Sequence, residues 1–205
     1  MNEQEKFSRS LDFTLKWEGG RNFNIVNGQL VIKASSKNDA GGATAFGITA
    51  LTLKAAHMAG IVSHDDFRSL TLDEAKEIYR AFYWDKYNWG ALSWPVCLCC
   101  FDCCVNHGGF AYILQRAVND CGQNVIIDGK FGTQTFDALK SCEPQQLAKA
   151  IYHQRFAYFQ KIIARDNRQS AFLKGWFFGG LDGYIKVLIA CTVIDYVTGI
   201  MRAGA

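Results

Sequence analysis

Apolar positions recur with a helical period at the start of the chain. Phe7, Leu11, Thr14, Leu15 and Glu18 fall at i, i+4, i+7, i+8 and i+11, which is one face of an amphipathic helix over about residues 3–18. Gly19-Gly20 is a stop signal for it. Asn27-Gly28 between FNIV and QLVI then signals a β-hairpin. Residues 38–49, NDAGGATAFGIT, are rich in glycine and read as a loop, and ALTLKAAHMAGI after them reads as a helix. Thr71 with Glu74 three residues on makes a capping box for a helix over about 72–87. VCLCCFDCCVNHGG predicts a buried helix that stops at Gly108-Gly109, and YILQRAVNDCG a further helix that ends at Gly122. A turn at Asp128-Gly129 precedes a helix that begins near Thr133. Residues 143–166 form a long helix with Pro144 in its first turn. No repeat is evident. The pattern is mainly helical, with one small hairpin near the N-terminus.

Composition narrows the classes. The chain has 205 residues, enough for one domain or one domain with a small lobe. Its 49% hydrophobic and 20% charged content excludes a disordered protein, and 15 Phe, eight Tyr and five Trp allow a substantial core. A formal charge of +3, without a basic run or an aromatic-basic stripe, is too weak to suggest nucleic acid. MNEQEKFSRS holds no apolar core of a signal peptide, so none is expected.

The C-terminal composition differs. Residues 184–201 are 18 residues with only Lys186 and Asp195 charged. That length is at the lower edge of the roughly 17–25 residues a span requires. A charge near its middle costs about 2.5–3.5 kcal/mol. Two readings stand: a membrane segment, flanked by Lys186 and Arg202, or a buried final helix.

Five of the eight cysteines crowd into one stretch: Cys97, Cys99, Cys100, Cys103 and Cys104. Cys97, Cys100 and Cys104 are spaced helically among apolar neighbours, unlike the paired turns of a zinc site. They are expected to pack as small hydrophobes, reduced as in a cytoplasm.

The candidate chemistry starts at Glu18. At a helix C-terminus the backbone presents about half a negative charge. That field disfavours ionisation, as burial beside Trp17 or Phe23 would. A glutamate that keeps its proton near neutral pH suits a general acid. The bland alternative is an exposed Glu before a C-cap glycine. Past the hairpin come Asp39, Gly41-Gly42 and Thr44. Two carboxylates and a hydroxyl joined in this way can face each other across a cleft. Glycoside hydrolysis uses one carboxylic acid to protonate the leaving oxygen and a second polar group to place water.

At these residues the chain resembles glycoside hydrolase family 108, the phage and bacterial N-acetylmuramidases related to phage lysozymes. WEGG followed by DAGGATAFGIT carries the resemblance. It continues in LTLDEAKEIYRAFYW, in FDCCVNHGG and in the closing FLKGWF. LQRAVN with IDGKFGTQTFDAL resembles the peptidoglycan-binding region that follows the catalytic part, and VIDYVTGIMRAGA resembles a phage holin segment. The spacer between Glu18 and Asp39 exceeds the family's usual one by the hairpin.

The resemblance implies a mainly α, α+β lysozyme-like fold, in which a helical bundle and a small N-terminal β-hairpin lobe flank a cleft. It implies a catalytic region over 5–95, a helical peptidoglycan-binding region over 96–178 and an apolar tail over 179–205. Glu18 becomes the catalytic acid, and Asp39 and Thr44 match the positions that hold attacking water. The implied reaction cleaves the β-1,4 bond between N-acetylmuramic acid and N-acetylglucosamine in bacterial peptidoglycan. The rivals are a lytic transglycosylase, a non-catalytic wall-binding or membrane lysis protein, and a secreted effector.

Phe46 stacks on a sugar or packs. Asn106, sharing a face with Asp102, reaches substrate or satisfies buried groups. His107 is expected to be structural or exposed rather than catalytic. Trp84, Trp89 and Trp94 are expected in the core rather than as a sugar platform. No metal site, cofactor or nucleic-acid partner is expected, and the protein is expected to be a monomer. It is expected in the host bacterial cytoplasm before lysis, acting at the cell wall, or held to the membrane by its tail.

Overall fold

The computed structural model describes residues 1–18, 23–26, 29–32 and 44–166. Of residues 16–18, 23–26 and 29–32 it describes the backbone path alone. The chain divides into two compact units, one ending at Gly90 and one beginning at Ala91. The described residues are mostly helical with little sheet, in agreement with the sequence pattern.

The first unit opens with helix α1 (Glu3–Glu18). Its periodicity is the one read from the sequence: Phe7, Ser10, Leu11 and Thr14 are buried along one face. Strands β1 (Phe23–Val26) and β2 (Gln29–Ile32) pair antiparallel, with Phe23 opposite Ile32 and Val26 opposite Gln29. These are the two strands the sequence marks on either side of residues 27 and 28.

Within residues 38–49 the expected loop is corrected. Residues 38–43 lie outside the described residues, but Thr44–Ala45 (β3) and Ile48–Thr49 (β4) pair antiparallel. Phe46 and Gly47 turn the chain between them with φ of 52° and 78°. Two successive positive φ values form the turn whose twist suits a two-residue hairpin. Phe in the first of these positions departs from the usual Asn-Gly, so the turn was hidden in the sequence. Ala45 and Ile48 are fully buried, which holds the short hairpin against the core.

Thr49 ends β4 and caps helix α2 (Ala50–Met58), its side chain accepting from the Thr52 N–H at 3.1 Å. The capping box is present before helix α3 (Leu72–Tyr79). There the Thr71 N–H donates to Glu74 Oε2 at 2.9 Å and the Glu74 N–H donates to Thr71 Oγ1 at 3.2 Å.

The expected single helix over 72–87 is corrected beyond residue 79. Arg80–Trp84 widen into a π-helical turn, and Asp85–Tyr87 tighten into a 3₁₀ turn. Burial explains the change of pitch. Ala75, Ile78 and Tyr79 face the core at helical spacing, and the next buried residue is Trp84, five positions after Tyr79. An α-helix would turn residue 82 or 83 inward instead. A turn closed between i and i+5 brings the largest ring to the core.

The second unit contains α4 (Val96–Asn106), α5 (Phe110–Asp120), α6 (Thr133–Ser141) and α7 (Pro144–Arg165). Residues 96 to 104 of α4 are all buried, so the helix has no solvent face over that stretch. Its five cysteines fill that core as small apolar groups, as the sequence suggested. α4 packs on α5 and α7, and α5 on α6 and α7. Glu143 caps α7 by accepting from the Gln145 and Gln146 N–H groups. Trp84 and Trp89 are fully buried in the first unit, which agrees with their core assignment, and Trp94 is half-buried.

Candidate active site

Two elements carry the candidate catalytic residues that the structure describes. Glu18 is the last residue of α1, and its side chain lies outside the described residues. Thr44 opens β3 directly opposite Thr49 and is half-buried. Asp39 lies outside the described residues.

One segment, residues 79–90, anchors both elements. Tyr79 Oη donates to the Phe46 carbonyl at 3.0 Å and so ties the β3–β4 turn to α3. The next residue grips α1. Arg80 donates to Gln4 Oε1 at 2.5 Å and to Glu3 Oε1 at 3.1 Å, and its guanidinium lies over the Phe7 ring at 5.1 Å. The Phe7 and Trp84 rings meet edge to face at 5.4 Å. Lys6 Nζ donates to the Gly90 carbonyl at 3.0 Å. The exposed Arg80 ion pair is worth little alone, but the buried Phe7–Trp84 contact fixes the helix axis. These contacts hold the first turns of α1 against residues 80–90.

Phe46 sits at a positive φ and is half-buried, so its backbone serves the turn while its ring is partly accessible. Sequence reasoning singled out Phe46 and missed Tyr79 and Arg80. The apolar spacing of the helix hinted that Tyr79 faces inward. Nothing in the sequence indicated which carbonyl its hydroxyl would reach.

Asn106 lies in the second unit. Its Nδ2 donates to the Asp102 carbonyl at 2.9 Å and to Asp102 Oδ1 at 3.1 Å. Both bonds stay within α4, as in the helix-end polar pair. Asp102 also anchors a buried network. Arg155 of α7 donates from Nη1 to Asp102 Oδ2 at 2.6 Å and from Nε to His107 Nε2 at 3.0 Å. His107 is buried and accepts with Nε2, so its ring is neutral with the proton on Nδ1. Burial, reinforced by the Arg155 charge, holds its pKa well below the ordinary value of 6.5. The network pins α4 to α7, which makes His107 structural, as expected from the sequence.

The Asp128-Gly129 turn is held by Gln115, whose Nε2 donates to Asp128 Oδ1 at 2.8 Å and whose Oε1 accepts from the Gly129 N–H at 2.9 Å. It is a tight turn before a helix, as read from the sequence. Among the described residues, no group of three His, Cys, Asp or Glu side chains is arranged to hold a metal ion. No helix among them is long and apolar enough to cross a membrane, and the apolar run 184–201 lies outside them.

Comparison with known proteins divides the chain into three matched segments. Residues 11–108 match the family described as Glycosyl hydrolase 108. Residues 111–178 match the Predicted Peptidoglycan domain, and residues 173–205 match the Bacteriophage holin family. No curated protein matches the chain. Among solved structures, the chain is similar to SagA of Brucella abortus, with a TM-score of 0.64 at 24% identity. The likeness covers 93% of this chain and 95% of that one, and at this identity it shows the fold.

Proposed function

We propose that this chain is a lysozyme that acts on peptidoglycan, a reading supported by the glycoside hydrolase match over residues 11–108 and the peptidoglycan domain match over residues 111–178. It cleaves the β-1,4 bond between N-acetylmuramic acid and N-acetylglucosamine. The carrying observation is that Glu18 closes α1 while Thr44 opens a hairpin anchored by the same segment that anchors α1. The carbonyl end of α1 favours a protonated carboxyl at residue 18, and that proton passes to the glycosidic oxygen. Asp39 and Thr44 place the water, and Phe46 offers a ring face to a sugar. Residues 5–95 do the chemistry and residues 96–178 hold the wall polymer. The protein works as a monomer, is made in the host cytoplasm and reaches the wall at lysis, and residues 184–201 give it a membrane contact.

Clearing of purified peptidoglycan tests the assignment. Loss of a general acid removes roughly 10²–10⁴-fold of rate, so Glu18→Gln is expected to lose nearly all turnover with its circular dichroism unchanged. Asp39→Asn is expected to lose most of it. Products with reducing muramic ends support hydrolysis; anhydro ends would assign a lytic transglycosylase instead. Undiminished clearing by Glu18→Gln would remove Glu18 from the mechanism.

A further inference from the structure

Three large apolar side chains of the second unit stand in solvent around one turn. Tyr112 on α5 is 47% exposed, and Ile126 and Ile127, just ahead of the Asp128-Gly129 turn, are 72% and 39% exposed. One exposed apolar residue is ordinary, whereas a cluster marks a contact surface. Geometry holds the cluster together. A β-carbon on Gly129 would overlap the Tyr112 ring, so the ring lies directly on the turn. Gln115, buried on the same helix, bonds Asp128, Gly129 and Lys130 and fixes the turn against α5. Past the turn, the Phe131 and Phe110 rings meet at 5.8 Å, and both are half-buried.

Two cations edge this surface. Arg116 follows Tyr112 by four residues on the same face of α5 and is exposed. Lys130 is exposed within the turn. Among the described residues neither side chain forms an ion pair. The acids next to them in sequence are engaged elsewhere. Asp120, one turn beyond Arg116, accepts from Gln154 Nε2 of α7 at 2.6 Å. Asp128 Oδ1 accepts from Gln115 Nε2 and from the Lys130 N–H, both at 2.8 Å, and its charge offsets part of the positive field.

We propose that Tyr112, Ile126, Ile127 and Phe131, edged by Arg116 and Lys130, form the surface with which the second unit grips a glycan strand of peptidoglycan. It rests on the reading of this chain as a peptidoglycan hydrolase and adds where the polymer is held. All six residues lie within the match to the Predicted Peptidoglycan domain. A pyranose shows a face of C–H groups to the electron-rich face of an aromatic ring, and the exposed apolar surface sheds water on contact. Stem peptides of the wall polymer carry carboxylates, which the two cations meet.

The test sediments full-length protein with purified, insoluble peptidoglycan sacculi in the cold, before measurable clearing, and reads the bound fraction against sacculus concentration. Tyr112→Ala is expected to bind roughly tenfold more weakly, with a melting temperature near that of wild type because the side chain is exposed. Tyr112→Phe keeps the ring and is expected to bind within about twofold of wild type. Arg116→Gln with Lys130→Gln is expected to weaken binding about threefold at low ionic strength and to flatten its salt dependence. Leu51→Ala, at an exposed apolar residue of the first unit, is expected to change nothing. Unchanged binding by Tyr112→Ala would overturn the proposal, whether the face then proved to seat anionic lipid vesicles or a second copy of the chain. An equal loss in Tyr112→Phe and Tyr112→Ala would overturn the contact between ring and sugar. Sedimentation reads binding without turnover. Unchanged binding in Tyr112→Ala therefore sinks this surface alone, and undiminished clearing by Glu18→Gln sinks the catalytic assignment alone.

Discussion

Single residues carry two kinds of information here. Glu18 is distinctive by position, since a carboxylate just ahead of a C-cap glycine pair is conspicuous along a sequence. Gly129 is distinctive by conformation. Its φ is +75°, its N–H is bonded to Gln115, and a β-carbon there would overlap the Tyr112 ring. Tyr112 is exposed, so its ring can swing aside, but the backbone strain stays. Gly129→Ala is expected to cost about 1–2 kcal/mol in urea unfolding, and Gly129→Asn less, since Asn tolerates the left-handed region. The sequence signalled this turn because Asp-Gly has few other uses. It could not show that Gln115, 13 residues before Asp128, would be the clamp. That bond depends on how α5 lies against the turn.

At the scale of elements, sequence signals were strongest where a local interaction sets a boundary. The capping box before α3, the Pro144 start of α7 and the β1–β2 strands all appear where read. The signals failed where burial overrode local pattern. The π turn at Arg80–Trp84 exists because Trp84 had to reach the core, and the β3–β4 hairpin because Ala45 and Ile48 did. The Tyr79–Phe46 bond joins these two unforeseen features. Tyr79→Phe keeps the buried ring and removes the donor, costing about 0.5–1.5 kcal/mol of stability. Because Thr44 sits two residues before that carbonyl, turnover is expected to fall by roughly tenfold from misplacement alone. Peptidoglycan clearing checks the rate, and thermal melting checks that the fold survives. Wild-type turnover in Tyr79→Phe would mean that the hairpin holds its place without the bond.

Across the molecule, acid stability turns on the second unit. His107 is held neutral in the folded state, below its unfolded pKa of about 6.5. Between the two values the unfolded chain binds a proton that the folded chain does not, so stability falls as pH drops through 6.5. The slope approaches 1.4 kcal/mol per pH unit and continues down to the folded pKa. Above pH 7 the contribution is complete. Denaturant melts across mildly acidic pH are expected to show this loss, and His107→Gln is expected to flatten it. Carboxylates such as Asp66 and Asp128, held below their ordinary value of 3.8 mainly by hydrogen bonds, lose their contribution only in a lower window.

The sequence by itself determined the helical class, the pairing of β1 with β2 and the α4 core of cysteines. Each follows from residue types a few positions apart, where period, turn chemistry and capping act on their own. Tertiary structure alone decided that Arg155 pairs with Asp102 across 53 positions and that Tyr79 reaches Phe46 across 33. Those contacts form only once helices lie against one another, because a buried donor or charge takes whatever partner the packing brings within reach.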